Sequence, residues 1–332
     1  MLPPLAELLA TARVVSLPLS TRFRGIETRE ALLLRGPAGW TEFSPFLEYD
    51  DGEAAAWLAA AIDFGWRELE LPVGAPTRIH VNATLPAVTP DRVAEILARY
   101  PGCRTVKVKV AEQGQSLADD VARVAAVREI LGPDGRIRLD ANAGWNLDEA
   151  EHAIHSLAEY DLEYVEQPCE TVDELAQIRK RVKYMGIPIA ADESVRKAED
   201  PLAVARAGAA DILVIKAQPL GGIERALQIV AEAGLPVVVS SAIDTSVGLS
   251  MGAHLAASVA SLQYDCGLGT AALLAADVTD APLAPVDGQI DVRRVDVNDD
   301  LLDGNAADGD RTRWWLARLS RVHAVLSSPP VE

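Results

Sequence analysis

Three acidic residues, Asp140, Glu166 and Asp192, lie at equal intervals of 26 residues, and each closes a short apolar run, RIRLD, LEYVE or IPIAAD. Carboxylates at the ends of successive strands would converge on one rim of a parallel barrel, where such scaffolds hold their reactive groups. Three convergent oxygen ligands with room for water and substrate suit Mg²⁺ better than zinc. A single Asp at a strand end often only caps the next helix, but three at one spacing favour a metal site.

Two lysines share a neighbouring strand-like run. Lys107 and Lys109 are two residues apart in TVKVKV, so both side chains point the same way. The alternating valines indicate that this direction is inward, although a solvated edge strand would also alternate lysines. A like-charged pair beside a metal would lower the pKa of each lysine, which leaves one amine able to act as a base near pH 7.

A further lysine, Lys216, ends the run DILVIK. We expect it two strands beyond the strand of Asp192, and therefore across the barrel mouth from Lys109. A divalent cation on a substrate carboxylate makes the adjacent C–H more acidic, and an opposed ammonium group can share the developing charge. These residues favour proton abstraction alpha to a carboxylate, leading to racemisation, cycloisomerisation or elimination.

The elements that must position these residues repeat along the chain from about residue 78. Strand-like runs alternate with helix-like stretches at a spacing of roughly 25 residues, near the βα repeat of a barrel. A doubly wound open sheet would alternate similarly, but it does not predict functional residues at the ends of consecutive strands. The runs are RIHVNA, TVKVKV, RIRLDA, EYVEQP, IPIAAD, DILVIK, PVVVSS and SLQYDC.

The two ends of the chain have a different pattern. VVSLPLS, REALLLRG and GWTEFSPF indicate antiparallel strands, and an Ala-rich helical stretch follows them. RTRWWLARLSRVHAVL predicts an amphipathic helix whose tandem Trp314 and Trp315 anchor its packing. We therefore expect an α+β capping domain over residues 1–76, completed by residues 277–332, and a barrel over residues 77–276.

Composition limits the classes of partner. The chain has 332 residues, with 49 Asp plus Glu against 31 Lys plus Arg and a formal charge of −18, which argues against nucleic-acid and anionic-membrane surfaces. The start lacks a signal pattern and no apolar stretch is long enough to span a bilayer, so we expect a cytoplasmic protein. The scattered Cys103, Cys169 and Cys266 fit reduced thiols. The sequence gives no prediction of oligomeric state.

The motifs KVK, DANAGW, VEQP, ADES and IKAQPLGG together resemble those of the enolase superfamily and its muconate-lactonizing subgroup, over nearly the whole chain. The resemblance implies a modified TIM barrel, (β/α)₇β, with an α+β capping domain formed by both chain ends. It also implies that Asp140, Glu166 and Asp192 bind Mg²⁺, with Mn²⁺ as an alternative ion. Lys109 would be the general base, Lys216 the opposed lysine, and Lys107 an auxiliary charge.

Three further segments, RFRGIETREALLL, WTEFSPF and YDCGLGTAALLAADV, resemble a dehydratase branch of that subgroup. The branch removes water from a succinyl-bearing hydroxycyclohexadiene carboxylate in menaquinone biosynthesis, so the implied partner is a small carboxylate. Racemisation of N-succinylamino acids or epimerisation of dipeptides on the same site is the first alternative. The second is a noncatalytic metal-binding barrel, which leaves two inward lysines without a purpose.

Specificity is expected in the cap and at the later strand ends. Arginines near residue 23 could screen a substrate carboxylate and Phe23 could cover its ring, although an ordinary surface loop explains either arginine equally well. Hydroxyl and backbone groups near the barrel mouth could bind a carboxylate, and packing explains them equally well. The candidate substrate-binding residues are Arg22, Phe23, Arg24, Ser240, Ser241, Ile243, Leu268 and Gly269.

Three other polar residues lie near these motifs. Asn142 either orients the metal ligands or supports a turn. Glu193 follows Asp192 directly and should point away from the ligand set. Asp244 replaces the Glu usual at this position in similar sequences, so no polar role is carried over to it.

Overall fold

The structure is a computed structural model, and it describes residues 2–23, 25–196 and 201–328. Its strands form one antiparallel sheet, one parallel sheet and one short antiparallel pair. The strands are β1 (Arg13–Phe23), β2 (Ile26–Gly36), β3 (Gly39–Phe43), β4 (Arg78–His80), β5 (Ala83–Leu85), β6 (Thr105–Lys109), β7 (Arg136–Asp140), β8 (Leu162–Glu166), β9 (Ile189–Ala191), β10 (Ile212–Ile215), β11 (Val237–Val239) and β12 (Gln289–Asp291).

Helices alternate with the strands of the parallel sheet and flank the antiparallel one. Several begin at a capping box, in which the N-cap side chain and the residue three positions later bond each other's backbone. Examples are Ser116 with Asp119 and Thr171 with Glu174. The helices are α1 (Leu5–Thr11), α2 (Asp51–Trp66), α3 (Val93–Leu97), α4 (Leu117–Leu131), α5 (Leu147–Leu157), α6 (Val172–Val182), α7 (Glu193–Arg196), α8 (Ala203–Arg206), α9 (Ile223–Ala233), α10 (Ser246–Ser258), α11 (Asp299–Gly304) and α12 (Gly309–Ser327).

The parallel sheet follows the chain order without interruption, β5-β6-β7-β8-β9-β10-β11. Its strands are buried almost throughout, as expected for parallel strands covered by helices on one face and closed around a core on the other. All seven strands therefore end at the same rim. This curled α/β sheet with a separate antiparallel cap confirms the predicted fold class.

The sheet closes through two isolated parallel bridges, Val81 with Cys266 and Ser240 with Gly267. The amide of Cys266 donates to His80 O at 2.8 Å, and that of Gly267 donates to Val239 O at 2.8 Å. The predicted eighth run, SLQYDC, thus contributes a seam and no regular strand. An apolar run in sequence does not reveal how many ladder bonds it will make.

The first predicted run, RIHVNA, changes partner within its length. Residues 78–80 pair antiparallel with β12, whereas the parallel pairing with β6 begins at Ala83. Val81 and Asn82 lie between the two ladders. Apolar residues alternate in the same way in antiparallel and in parallel pairing. The sequence therefore could not show that the parallel strand of the barrel begins later than predicted.

The C-terminal helix α12 packs on α2, beside the antiparallel sheet. Trp315 is fully buried, contacts Phe43 edge-to-face and donates its indole N–H to Glu30 at 2.8 Å. The predicted amphipathic helix and the packing role of Trp315 are confirmed. The boundaries predicted at residues 76 and 276 stay a prediction. In the part of the chain that the structure describes, every helix is too short or too polar to span a bilayer.

Arg318 is the polar link between α12 and the loop before α2. It is 1% exposed and donates to the carbonyl oxygens of Phe46 at 3.1 Å and Tyr49 at 2.6 Å. Its guanidinium also lies over the rings of Trp314 and Trp315. A single buried cation therefore satisfies backbone acceptors that no helix or strand bond reaches.

We predict that Arg318→Met lowers the free energy of unfolding by about 2 kcal/mol or more, because the carbonyl oxygen of Tyr49 loses the bond from Arg318 and that of Phe46 keeps only its bond from the Tyr49 amide. Arg321→Met is the matched control on the same helix, since Arg321 forms a half-exposed ion pair with Asp51. Its cost should stay below about 1 kcal/mol. Urea denaturation measures both, and equal losses in the two variants would contradict this role of Arg318.

Candidate active site

Six charged side chains lie together at the carboxyl end of the parallel sheet. They are Lys107, Lys109, Asp140, Glu166, Asp192 and Lys216. Strand register aligns Lys109 with Asp140 and Asp140 with Glu166, so adjacent strands present these residues at one level. Asp192 and Lys216 follow β9 and β10 directly. The six residues thus come from five consecutive strands, as the spacing of the motifs predicted.

Lys216 lies closer to Asp192 than the sequence predicted. Because β10 pairs directly with β9, Lys216 is one strand beyond Asp192, and the expectation of two strands is wrong. The described residues between Asp192 and Lys216 form no strand before β10. Lys109 and Lys216 still line the same pocket.

Each carboxylate is paired with ammonium groups. Lys107 Nζ donates to Glu166 Oε1 at 2.8 Å and lies 3.1 Å from Asp140 Oδ2, while Lys109 also donates to Asp140. Lys216 Nζ donates to Asp192 Oδ1 at 2.6 Å. The lysines are each 7% exposed and the carboxylates 3% or less. Buried charges of this kind persist only when they are paired.

The carboxylate oxygens are suitable ligands for a hard divalent cation. Burial, with the like charges of Asp140 and Asp192, raises the pKa of Glu166 to about 7. Such crowding of negative charge is relieved by a cation. Among the described residues, no three acidic, His or Cys side chains are grouped as a ready ligand sphere, and lysine ammonium groups contact all three carboxylates. The fit to such an ion therefore lies in the oxygen donors and their burial and not in their present arrangement.

Two carboxylates determine the electrostatics of Lys107. Burial lowers its pKa, but the carboxylates of Asp140 and Glu166 outweigh burial, and the pKa of Lys107 lies well above its ordinary value. The sequence did not show how closely two carboxylates approach this lysine. The expected lowering concerned a lysine pair beside a bound cation, and it stays a prediction. Conversely, Lys107 and Lys109 outweigh burial at Asp140 and hold the pKa of that carboxyl well below its usual range.

Two amide side chains hold the ends of these strands. Asn142 accepts a hydrogen bond from Lys109 and donates to Glu193 at 3.2 Å. Its φ of 45° places it in a left-handed turn, so the turn role that the sequence left open is confirmed, and the role of orienting the metal ligands stays a prediction. Gln167 Oε1 accepts from the amides of Asp192 at 3.0 Å and Ser194 at 3.2 Å. Sequence reasoning missed Gln167, although VEQP places it directly after Glu166.

One pocket joins the charged residues to four of the eight predicted substrate-binding residues. Lys107, Lys109, Asp140, Asp192 and Lys216 line it. Of the candidate substrate-binding residues, the lining includes Phe23, Ser240, Ser241 and Ile243.

Three other candidates lie elsewhere. Arg22 is exposed and lines an adjoining groove that shares Phe23 and Lys109 with the pocket. Leu268 is buried against Gly252, and Gly269 starts the 3₁₀ turn Gly269–Leu273, so neither lines the pocket as expected. Gly267, which bridges Ser240, and Thr270, within the turn, line the cavity in their place. Arg24 lies outside the described residues.

Aromatic side chains from the cap form one wall of the pocket. Phe23 lies with its ring centroid 5.2 Å from Lys109 Nζ. Phe46 and Trp57 contact each other at 6.3 Å between ring centroids. Trp57 Nε1 is buried and has no hydrogen-bond partner among the described residues.

The sequence prediction missed several residues of this lining. Phe46 belongs to WTEFSPF, and Trp57 is the one large aromatic in the run EAAAWLAAA, which were the available signals. The full set of missed residues is Phe46, Trp57, Thr84, Ala242, Gly267 and Thr270.

Family models match both parts of the chain. The model described as "Enolase C-terminal domain-like" covers residues 90–295, and "Enolase N-terminal domain-like" covers residues 14–65. Solved structures share the fold. They include the 2-chloromuconate cycloisomerase of Rhodococcus opacus, with a TM-score of 0.76 and 22% identity over 90% of this chain and 98% of that one. A dipeptide epimerase of Enterococcus faecalis has a TM-score of 0.70 and 23% identity, over 86% and 96% of the two chains.

Much closer sequence similarity links the chain to proteins named o-succinylbenzoate synthase. The protein of Thermobifida fusca is 54% identical over 95% of this chain and 96% of its own length. The protein of Mycolicibacterium smegmatis is 51% identical over 98% of both. The chain therefore belongs to the enolase superfamily and, within it, to the family of the o-succinylbenzoate synthases.

Proposed function

We propose that this chain catalyses the elimination of water from 2-succinyl-6-hydroxy-2,4-cyclohexadiene-1-carboxylate to give 2-succinylbenzoate, in menaquinone biosynthesis. The observation that carries the proposal is the pocket in which Lys109 and Lys216 lie beside buried carboxylates. This arrangement suits proton abstraction next to a carboxylate. The near full-length similarity to proteins named for that product supports the choice of substrate.

Asp140, Glu166 and Asp192 are the proposed ligands of Mg²⁺, with Mn²⁺ as the alternative ion. Their burial and oxygen donors suit a hard cation. When bound, the ion would supply positive charge to the substrate carboxylate. Gln167, through the backbone of Asp192, and Asn142, through Lys109, would keep these groups in place.

Lys109 is the proposed general base, acting as the neutral amine. Its Nζ takes the proton from the ring carbon alpha to the carboxylate, and the electron pair moves into the carboxylate to give an enediolate. The ammonium groups of Lys216 and Lys107 offset the negative charge that develops there.

The second half of the reaction uses the proton that Lys109 has gained. The electron pair returns to form the ring double bond as the C–O bond to the hydroxyl breaks. Lys109 gives its proton to the departing hydroxide, which leaves as water, if departure occurs on the face that lost the proton. Aromatisation makes the product much more stable than the substrate, so the enzyme needs to stabilise one intermediate.

Substrate recognition is assigned to the pocket wall and the adjoining groove. Phe23 would cover the ring, and Ser240, Ser241 and Ile243 would face the substrate from the opposite rim. Ser241 donates to Gly267 O and bonds the hydroxyl of Thr270, both at 2.8 Å, so it acts as part of a hydroxyl pair. Arg22 and Arg24 are proposed to attract the succinyl carboxylate.

A cytoplasmic location is proposed as well. Cys103, Cys169 and Cys266 are all free thiols in the structure. Unpaired cysteines suit a reducing compartment, where a menaquinone precursor would also be processed.

Racemisation of an N-succinylamino acid, or epimerisation of a dipeptide, is the second candidate activity. The supporting observation is that two lysines, Lys109 and Lys216, line one pocket and could exchange a proton with opposite faces of a substrate. A noncatalytic metal-binding barrel fits less well, because three lysines would then be buried without chemical use.

We predict that Lys109→Gln lowers kcat for dehydration by about 10³-fold or more, because the base is lost while the side chain keeps a similar size. The appearance of the aromatic product, followed by its absorbance, measures the rate. Lys183→Gln is the control, since Lys183 is exposed on a helix end and should leave kcat unchanged. A Lys109→Gln variant that folds and retains most of its activity would remove the assignment of the base.

We predict that EDTA abolishes the activity and that Mg²⁺ or Mn²⁺ restores it. In addition, Asp192→Asn should raise the Mg²⁺ concentration for half-maximal activity by about tenfold or more. Asp173→Asn, at an exposed helix start, is the control and should not change it. Full activity in EDTA would exclude a metal-dependent reaction.

We predict that dehydration of the cyclohexadiene is faster than proton exchange on any N-succinylamino acid. Incubating such a compound with the protein in D₂O and following deuterium at its alpha carbon by NMR measures the exchange. Exchange with an equal or higher kcat/KM than dehydration would instead make racemisation the main activity.

A further inference from the structure

The turn after β11 carries an unusual backbone conformation at the pocket. Ile243 has a φ of 61°, in the left-handed region that β-branched residues rarely occupy. Ala242 and Ile243 both line the pocket. Strained residues of this kind persist only where the surrounding structure fixes them. The contacts that fix Ile243 therefore also fix the shape of the pocket wall.

Arg29, on strand β2 of the antiparallel sheet, contacts this turn. It is 3% exposed, and its Nε donates to the carbonyl oxygen of Ile243 at 3.2 Å. Its guanidinium also lies 4.6 Å from the ring centroid of Phe46, another pocket residue. One side chain thus contacts both the strained turn and the aromatic wall.

Glu42, on the neighbouring strand β3, holds the other end of the turn. Its Oε2 accepts from the amides of Thr245 and Gly248, both at 3.1 Å, and from the Thr245 hydroxyl at 2.6 Å. A Cβ at Gly248 would lie 2.8 Å from that oxygen, so glycine is required for this approach. Ser44 joins the two residues, since it accepts from Arg29 at 3.0 Å and donates to Glu42 at 2.6 Å.

Arg29, Glu42 and Ser44 form a buried polar cluster. Packing a sheet against a helix through such a cluster costs free energy. Burial and the nearby Asp244 carboxylate raise the pKa of Glu42 to about 7, a direct sign of that cost. Well-packed apolar residues would give equal or greater stability, whereas polar groups specify one conformation. The bonds go to the backbone of the turn, which indicates that its conformation is what they specify.

We propose that Arg29 and Glu42 are positioning residues of the pocket. They hold Ile243 in its left-handed conformation, and they thereby set the part of the pocket wall that Ala242 and Ile243 form. The identity of that substrate rests on the proposed function. The role of Arg29 and Glu42 in shaping residues 242–245 is independent of the proposed function.

The first test replaces Arg29 with Met, which keeps the length of the side chain and removes its donors. We expect KM for the cyclohexadiene to rise about tenfold while kcat changes by less than about threefold, because the wall moves and the lysines do not. Arg35→Met, on the same strand at an exposed position, is the control and should change neither constant. An equal fall in kcat with unchanged KM would overturn the proposal.

A double-mutant cycle separates positioning from general stability. Glycine adopts a φ of about 60° without strain, so Ile243→Gly removes the steric strain that Arg29 is proposed to offset. In the Ile243→Gly background, Arg29→Met should raise KM by less than about threefold. The same tenfold rise in both backgrounds would show that Arg29 does not act through Ile243. If Arg29→Met does not fold, Arg29→Lys, which keeps the charge without the guanidinium fork, replaces it in the same cycle.

Hydrogen exchange provides a measurement that does not depend on activity. In Glu42→Leu, the peptide covering residues 241–250 should exchange about tenfold faster, because the amides of Thr245 and Gly248 lose their acceptor. Glu42→Gln keeps one acceptor oxygen and should stay close to the wild type, and strand β8 should be unchanged in both. Unchanged exchange of residues 241–250 in Glu42→Leu would overturn the proposal. A wild type that does not dehydrate the cyclohexadiene would contradict only the proposed function.

Discussion

Six charged side chains are withdrawn from water at the ends of strands β6 to β10, and each carboxylate there lies against an ammonium group. An isolated charge in these surroundings would cost several kcal/mol, so each member of the group depends on the others. Their positions are set by the register of the parallel ladder, which brings Lys109, Asp140 and Glu166 to one level. The rigid sheet thus maintains a crowded arrangement of charge that flexible loops could not hold.

The two sheets contribute different parts of the pocket. The parallel strands supply the charged groups, whereas strand β1, the loop after β3 and helix α2 supply the rings of Phe23, Phe46 and Trp57. Arg29 and Glu42 connect the two by bonding the turn after β11. Because the reactive groups and the covering wall belong to different parts of the chain, residues of the wall can vary while the charged groups keep their register.

Sequence reasoning succeeded where spacing carries the information. The interval of 26 residues predicted that Asp140, Glu166 and Asp192 share a rim, and the strand–helix repeat predicted the fold class. It failed where the partner is remote in sequence. The carboxylates that raise the pKa of Lys107, the partner change after His80 and the aromatic wall all arise from contacts between distant residues. Periodicity describes which face of an element is buried, but it does not describe what buries that face.

The seam through Cys266 and Gly267 lies next to the pocket-lining residue Ser240. Its two edges approach closely, since Cys266 is fully buried and a Cβ at Gly267 would lie 2.5 Å from Ser240 Oγ. Closure of the cylinder therefore depends on a residue without a side chain. A larger residue at Gly267 would displace Ser240, so a substitution at this edge would alter the closure of the sheet and the lining of the cavity together.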